Sequence, residues 1–216
     1  LFDAEEFAQI CIEADALGLQ IAVHAVGDGA VRATLDGYAA ARAKNGPRDA
    51  RHRIEHIDMI HPDDLTRLAA LGVVASMQPV HPPGLAGLPL EPTVSIMGQA
   101  RWKDTFPWRA IKDQGVALAF GTDWPVSPLS PLYALHCALS RQPWGEGQPD
   151  QRLKLGEALD AYTRAGSYAL FTENLRGQIA VGMRADVVLL RGDVQGLAQR
   201  PDAVEIVGVY VDGEQA

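Results

Sequence analysis

Cysteine is scarce. Cys11 and Cys137 are the only two in 216 residues, too few for a disulfide framework. Both fall in helical patterns and read as small buried apolar side chains. No apolar run approaches the roughly 18 residues of a membrane span, so the composition excludes a spanning helix. An excess of positive charge is missing as well. Lys and Arg number 19 against 27 Asp and Glu, and a formal charge of −8 offers no basic face for nucleic acid or an anionic membrane surface. Gly27-Asp28-Gly29 begins like a dinucleotide loop, but Arg32 stands where the third glycine belongs. There is no phosphate loop ending in Gly-Lys-Ser/Thr, no serine-hydrolase elbow and no Cys/His pair in a nucleophile's context.

What remains is a globular chain, 47% hydrophobic and 21% charged, with a repeating β-α texture. Phe7, Ile10, Cys11, Ala14 and Leu17 keep helical spacing, and Gly18 stops them. Ile21–His24 reads as a short buried strand, followed by a helix from Asp28 with Val31, Leu35 and Tyr38 inward. Arg53–His56 is a second strand, His61–Leu71 a helix, and Val73–Gln78 a third strand. From Pro79 to Gln99 the chain is rich in Pro and Gly without periodicity, the mark of a substrate loop or lid. A helix is expected around Asp104–Gln114, a fourth strand over Val116–Asp123, a helix up to Ser140, and one long helix through Leu155, Leu159, Tyr162, Gly166 and Leu170. Beyond Arg176 the texture changes to short strands at Gln178–Ala180, Ala185–Leu190 and Glu205–Val211.

Four tandem β-α units require parallel pairing with right-handed crossovers, in an open sheet or in part of a barrel. Polar residues at three strand ends and an appended β unit favour the barrel. A (β/α)₈ barrel takes eight strands and about 250 residues. The expectation is therefore an α/β chain that supplies half a barrel over residues 1–175 and part of a small β domain over 176–216. Val209–Gly213 reads as a strand entering a turn without a return strand before Ala216, which suggests a cut there too.

His24, His56 and Asp123 share one kind of address, the carboxyl end of a strand, where parallel α/β folds gather their chemistry. Taken singly, each histidine fits a hydrogen-bonded core residue, and Asp123 fits a cap for the segment after it. Taken together, two imidazoles and a carboxylate suit a divalent ion such as zinc.

His24-Ala-Val-Gly-Asp28, Arg53-Ile-Glu-His-Ile57, Ser76-Met-Gln-Pro-Val-His81 and Gly121-Thr-Asp-Trp-Pro-Val126 together resemble the amidohydrolase superfamily. The branch they resemble includes N-substituted formamide deformylase-like enzymes. Ala161-Tyr-Thr, Gly177-Gln-Ile and Gly182–Leu190 resemble that family's passage from the last barrel helix into its composite β domain. The resemblance implies barrel strands five to eight. His24 and His56 match metal ligands on strands five and six, and Asp123 matches the strand-eight aspartate. That aspartate touches the metal, takes a proton from the attacking water and hands it to the leaving nitrogen. The family's His-x-His and bridging carboxylate are absent from this sequence, which leaves open whether one ion or two bind. Half a site should hold metal poorly, so the chain alone is expected to be inactive unless a missing amino-terminal segment or a partner chain completes the barrel.

His81 resembles a position near the substrate, although Pro82-Pro83-Gly84 follows where the family often has an aspartate; bracing the loop fits it equally well. Arg101 resembles a substrate-orienting arginine and also suits a loop brace. Trp124 and Trp102 fit a pocket lining, with core packing the safer reading. Asp28 suits orientation of His24 or of its turn rather than ligation. His52 reads as a solvated strand entry, His61 as a helix cap and His136 as a packed helical residue. The resulting expectation is a cytoplasmic hydrolase of non-peptide C–N bonds in a small amide, formamide or cyclic amide. A deaminase or ester-type hydrolase on the same scaffold, or a non-catalytic remnant, are the alternatives.

Overall fold

Alternating β and α segments resolve into two units in a computed structural model that describes residues 2–85 and 87–216. Leu1, in the expected first domain, and Ala86, in the expected loop, lie outside the described residues. The first unit comprises residues 1–77 and 98–118, the second 78–97 and 119–216.

The first unit opens with α1 (Ala4–Ala16), whose first turn is closed by Asp3 accepting from the Glu6 N–H at 2.8 Å. Strand β1 (Ala22–Ala25) leads into α2 (Asp28–Asn45), where Val31, Leu35 and Tyr38 are buried as their spacing predicts. Gly37 faces α1 across a very close approach, since a Cβ there would stand 2.5 Å from Phe7 Cε1 and 2.9 Å from Cys11 Sγ. Strand β2 (Arg53–His56) pairs in parallel with β1 and with β3 (Val74–Met77). Between them runs α3 (Pro62–Ala70), started by Pro62 and capped by His61 Nδ1 at 3.3 Å from the Asp63 N–H. Asp64, 1% exposed, is held by Arg32 and Arg67 at 2.8 Å each. The sheet order is β1-β2-β3-β4, with β4 (Ala117–Phe120) running on past Leu118 into the second unit. Fully burying one aliphatic side chain such as Ile54 or Val74 contributes about 1.5–3 kcal/mol, so these short strands owe their stability to burial more than to propensity.

In the second unit, α4 (Thr93–Met97) occupies part of the stretch expected to be irregular. The next helix of the chain, α5 (Trp108–Asp113) in the first unit, starts later than expected because Pro107 has no N–H to give to a helix interior; a 3₁₀ segment, Gln99–Asp104, precedes it. Helix α6 (Pro131–Ser140) begins at a Ser130 cap, and its Ala134 and Cys137 pack with Val80, Leu85, Tyr133 and Tyr162. The long helix expected after Leu155 is two, α7 (Leu155–Tyr162) and α8 (Arg164–Ala169), broken at Thr163 where ψ is −84°. A three-stranded antiparallel sheet follows, β5 (Val187–Gly192), β6 (Val204–Val211) and β7 (Glu214–Gln215), in that order.

Two expectations for this stretch are corrected, the strand at Gln178–Ala180 and the lack of a return strand. Gln178–Ala180 is not a strand, and Ile179 is 88% exposed, so its apolar side chain gains nothing from pairing. Two 3₁₀ segments, Val194–Ala198 and Pro201–Ala203, lie between β5 and β6. A return strand does follow Gly213: Asp212 at φ 51° and Gly213 at φ 86° make the turn, and Glu214 and Gln215 pair with Val211 and Tyr210. No helix among the described residues is long and apolar enough to cross a membrane.

Candidate metal centre

The register of the first two strands frames the site. His24 lies opposite Glu55, and Ala25 lies opposite His56. Side chains alternate along a strand and in-register neighbours share a face, so strict alternation would send His24 and His56 to opposite sides. Their imidazoles nevertheless meet edge to face, with centroids 4.4 Å apart and planes at 72°. The backbone supplies the reason. His56 has φ 83° and Ile57 φ 53°, a left-handed pair of non-glycine residues at the strand's last position, which turns the His56 ring towards His24. Such conformations cost about 1–3 kcal/mol each and cluster at functional sites. His56 is 7% exposed, whereas His24 is open to solvent.

Two residues past His56 sits Asp58, to which the sequence reading gave no role. Burial pushes its carboxyl up to about 7. Its carbonyl accepts from the Phe106 N–H at 2.8 Å, which ties the end of β2 to the approach to α5. Arg53 and Glu55 form an ion pair at 3.2 Å on the strand face that carries His24. Arg101 lies exposed in the 3₁₀ segment, with Trp102 half-buried beside it.

The second unit brings His81 and Asp123 together. His81 Nε2 stands 3.9 Å from Asp123 Oδ2, beyond a direct hydrogen bond but within ion-pair range. Asp123 is another non-glycine residue in left-handed backbone, φ 56°, with its side chain 39% exposed. Its carbonyl accepts from the Val126 N–H at 2.8 Å, closing a turn. Behind it, the Tyr162 hydroxyl donates to the Gly121 carbonyl at 3.4 Å and the ring meets Phe120; burial pushes this phenol's pKa up, with the Cys137 charge adding to the effect. Trp124 is 64% exposed, so core packing is ruled out for it. Asp28 opens α2, its charge at the positive end of that helix's dipole.

The other histidines are structural. His61 caps α3 as expected. His136, on α6, has Nδ1 2.7 Å from the Leu197 carbonyl. His52 is not the solvated entry its arginine neighbours suggested. It is 7% exposed, its Nδ1 accepts from the Ile21 N–H at 3.1 Å, and its Nε2 lies 3.2 Å from Asp15. Burial holds its pKa below the usual histidine value, while Asp15 opposes that shift. Asp15 is itself buried, yet hydrogen bonds from Asn45 and Arg48, helped by the charges of Arg48 and His52, outweigh desolvation and hold it below the usual carboxylate range. Cys11 is fully buried, and burial followed by the Asp15 charge lifts its thiol to about 11, which fits an inert core residue.

A family model described as "Amidohydrolase family" matches residues 1–216. Protein LONG AFTER FAR-RED 3 of Arabidopsis thaliana is 32% identical over 219 residues, covering 100% of this chain and 37% of the relative. N-substituted formamide deformylase of Arthrobacter pascens is 28% identical, covering 98% of this chain and 39% of the relative. Among solved structures, one titled as an uncharacterized metal-dependent hydrolase from Pyrococcus furiosus superposes with a TM-score of 0.68 at 29% identity, covering 86% of this chain and 36% of that one. The chain thus spans well under half the length of the relatives it matches.

Proposed function

This chain belongs to the amidohydrolase family, and from that premise we propose that it contributes the carboxyl-terminal half of a metal-dependent enzyme that hydrolyses a non-peptide C–N bond in an amide, formamide or cyclic amide. On this reading β1 to β4 are barrel strands five to eight within residues 1–175, and residues 176–216 belong to the appended β domain.

The observation that carries the proposal is the meeting of His24 and His56. Two imidazoles at adjacent strand ends, one of them turned into place by a costly backbone, are what a shared divalent ion requires. The donor set fits such an ion: two imidazole nitrogens and one carboxylate from Asp123 match a catalytic zinc site that keeps a position open for water. When bound, the ion supplies Lewis-acid polarisation of the substrate carbonyl and acidifies the attacking water.

The remaining chemistry belongs to the chain. Asp123, exposed and set on left-handed backbone, accepts the water's proton and returns it to the departing nitrogen. His81 beside it bears on the same carboxylate, and Arg101 and Trp124 are available to the substrate. Asp28 orients the turn after His24. A missing amino-terminal segment or partner chain supplies the remaining ligands, so the 216-residue chain by itself is inactive.

Hydrolysis of simple amides and formamides by the chain joined to that segment or partner, with Asp123→Asn as control, tests the reading. Loss of activity in that variant supports it. Activity unchanged in Asp123→Asn contradicts it, as does robust hydrolysis by this chain alone with zinc. Deamination or ester cleavage in the same assays would move the assignment to another reaction of the scaffold. A folded, completed barrel that holds no zinc would mark a remnant.

A further inference from the structure

The segment that carries His81 is tied by hydrogen bond to a residue far downstream. Val80 is fully buried against Ala134 and Cys137 of α6, and the His81 N–H donates to the Gln78 carbonyl at 3.1 Å, so the chain reaches His81 in a fixed turn. Pro82 and Pro83 follow, both buried and both with φ locked by their rings. At the end of this stiff pair the Pro83 carbonyl accepts the indole N–H of Trp144 at 3.1 Å. Trp144 is itself held in place. Its backbone N–H donates to Gln148 Oε1 at 2.6 Å, and its ring lies under the Arg141 guanidinium, 5.6 Å from the centroid. Arg141 is 4% exposed and its N–H donates to the Cys137 carbonyl, so the stack is rooted in the end of α6.

We infer that Trp144 is a positioning residue: by fixing the Pro83 carbonyl through two conformationally locked prolines, it sets the His81 imidazole against Asp123. This inference rests on the reading of Asp123 as the proton-transferring carboxylate, but the contact it concerns can be measured without any hydrolysis. The sequence hides the arrangement, because Trp144 lies in a Pro/Gly-rich loop, Gln142–Pro149, that has no periodicity.

The test is Trp144→Phe in the full chain, which keeps an aromatic ring and removes the donor. Losing one neutral hydrogen bond should speed amide exchange at His81, Gly84, Leu85 and Leu88 about fivefold, with the Ala158 amide of α7 unchanged. The side-chain ¹H–¹⁵N correlation of His81 should move while that of His61 stays, and it should move less when Asp123 is already Asn. Gln148→Ala, a milder loosening of the same brace, should shift both readouts in the same direction and keep the protein folded if Trp144→Phe does not. In a hydrolytically active form, kcat should fall roughly tenfold with KM nearly constant, the signature of a misplaced reacting group. Exchange that is unchanged, or that rises equally in α7, overturns the inference. So does faster loop exchange with the His81 signal unmoved, since Trp144 would then be structural only. Failure of hydrolysis with these shifts intact counts against the proposed function and leaves the brace standing.

Discussion

Replacing His56 by glycine and by alanine separates what its side chain does from what its backbone endures. Both substitutions remove the same buried imidazole, so their difference reports on the φ of 83° alone. At an ordinary strand position alanine is more stable than glycine by about 0.5–1 kcal/mol, for entropic reasons. At this position alanine carries a left-handed penalty of about 1–3 kcal/mol that glycine escapes. The order should therefore invert, with the glycine variant more stable by roughly 1 kcal/mol. Urea unfolding followed by circular dichroism reads this as a higher midpoint at equal slope. In the completed barrel proposed above, both variants should lose zinc affinity by more than the ~100-fold upper range seen for residues that merely orient a ligand. An alanine variant as stable as the glycine one would refute the strain argument. Full zinc affinity in either would refute the reason given for tolerating that strain.

Three further outcomes are expected. Gly37→Ala forces a Cβ against Phe7 and Cys11 in the α1–α2 contact and should cost about 1–3 kcal/mol in the same unfolding assay, with no effect on metal content. Acidification should destabilise the first unit in two stages: His52, whose folded pKa lies below its ordinary 6.5, withdraws stability as pH falls from 6.5 through that lower value, and Asp15, held below 3.8, withdraws its share only as pH falls further through its own folded pKa. Melting temperature against pH for the protein and for His52→Gln checks this, the variant being flatter just below pH 6.5. Asp123→Asn should lower amide hydrolysis by about 10²–10⁴-fold with the fold intact, as befits a lost proton shuttle.

Much of this was legible in the sequence because burial writes itself as periodicity. Val31, Leu35 and Tyr38 announced the inner face of α2, and the helix expected over His61–Leu71 is α3. The strand ends that carry His24 and His56 were legible too, as short β-branched runs that stop at a polar residue. Their ring contact was not. Alternation alone argues against it, and only the φ of His56, which no residue-type pattern encodes, reverses that result. His52 was misread because flanking arginines suggest solvent, whereas its partner Asp15 lies 37 residues away on α1. The short return strand β7 was missed because two residues are too few to show a period. Trp144 lay beyond sequence reading for a related reason: its partner is a backbone carbonyl, which has no letter.

The most direct measurement is the zinc content of this chain joined by the segment or partner proposed to complete its barrel, taken by plasma mass spectrometry alongside the His24→Ala, His56→Ala and Asp123→Asn variants. The account predicts about one or two ions per chain in the parent and strong depletion in each variant with circular dichroism unchanged. A folded parent without metal, or variants that keep their full complement, would contradict it.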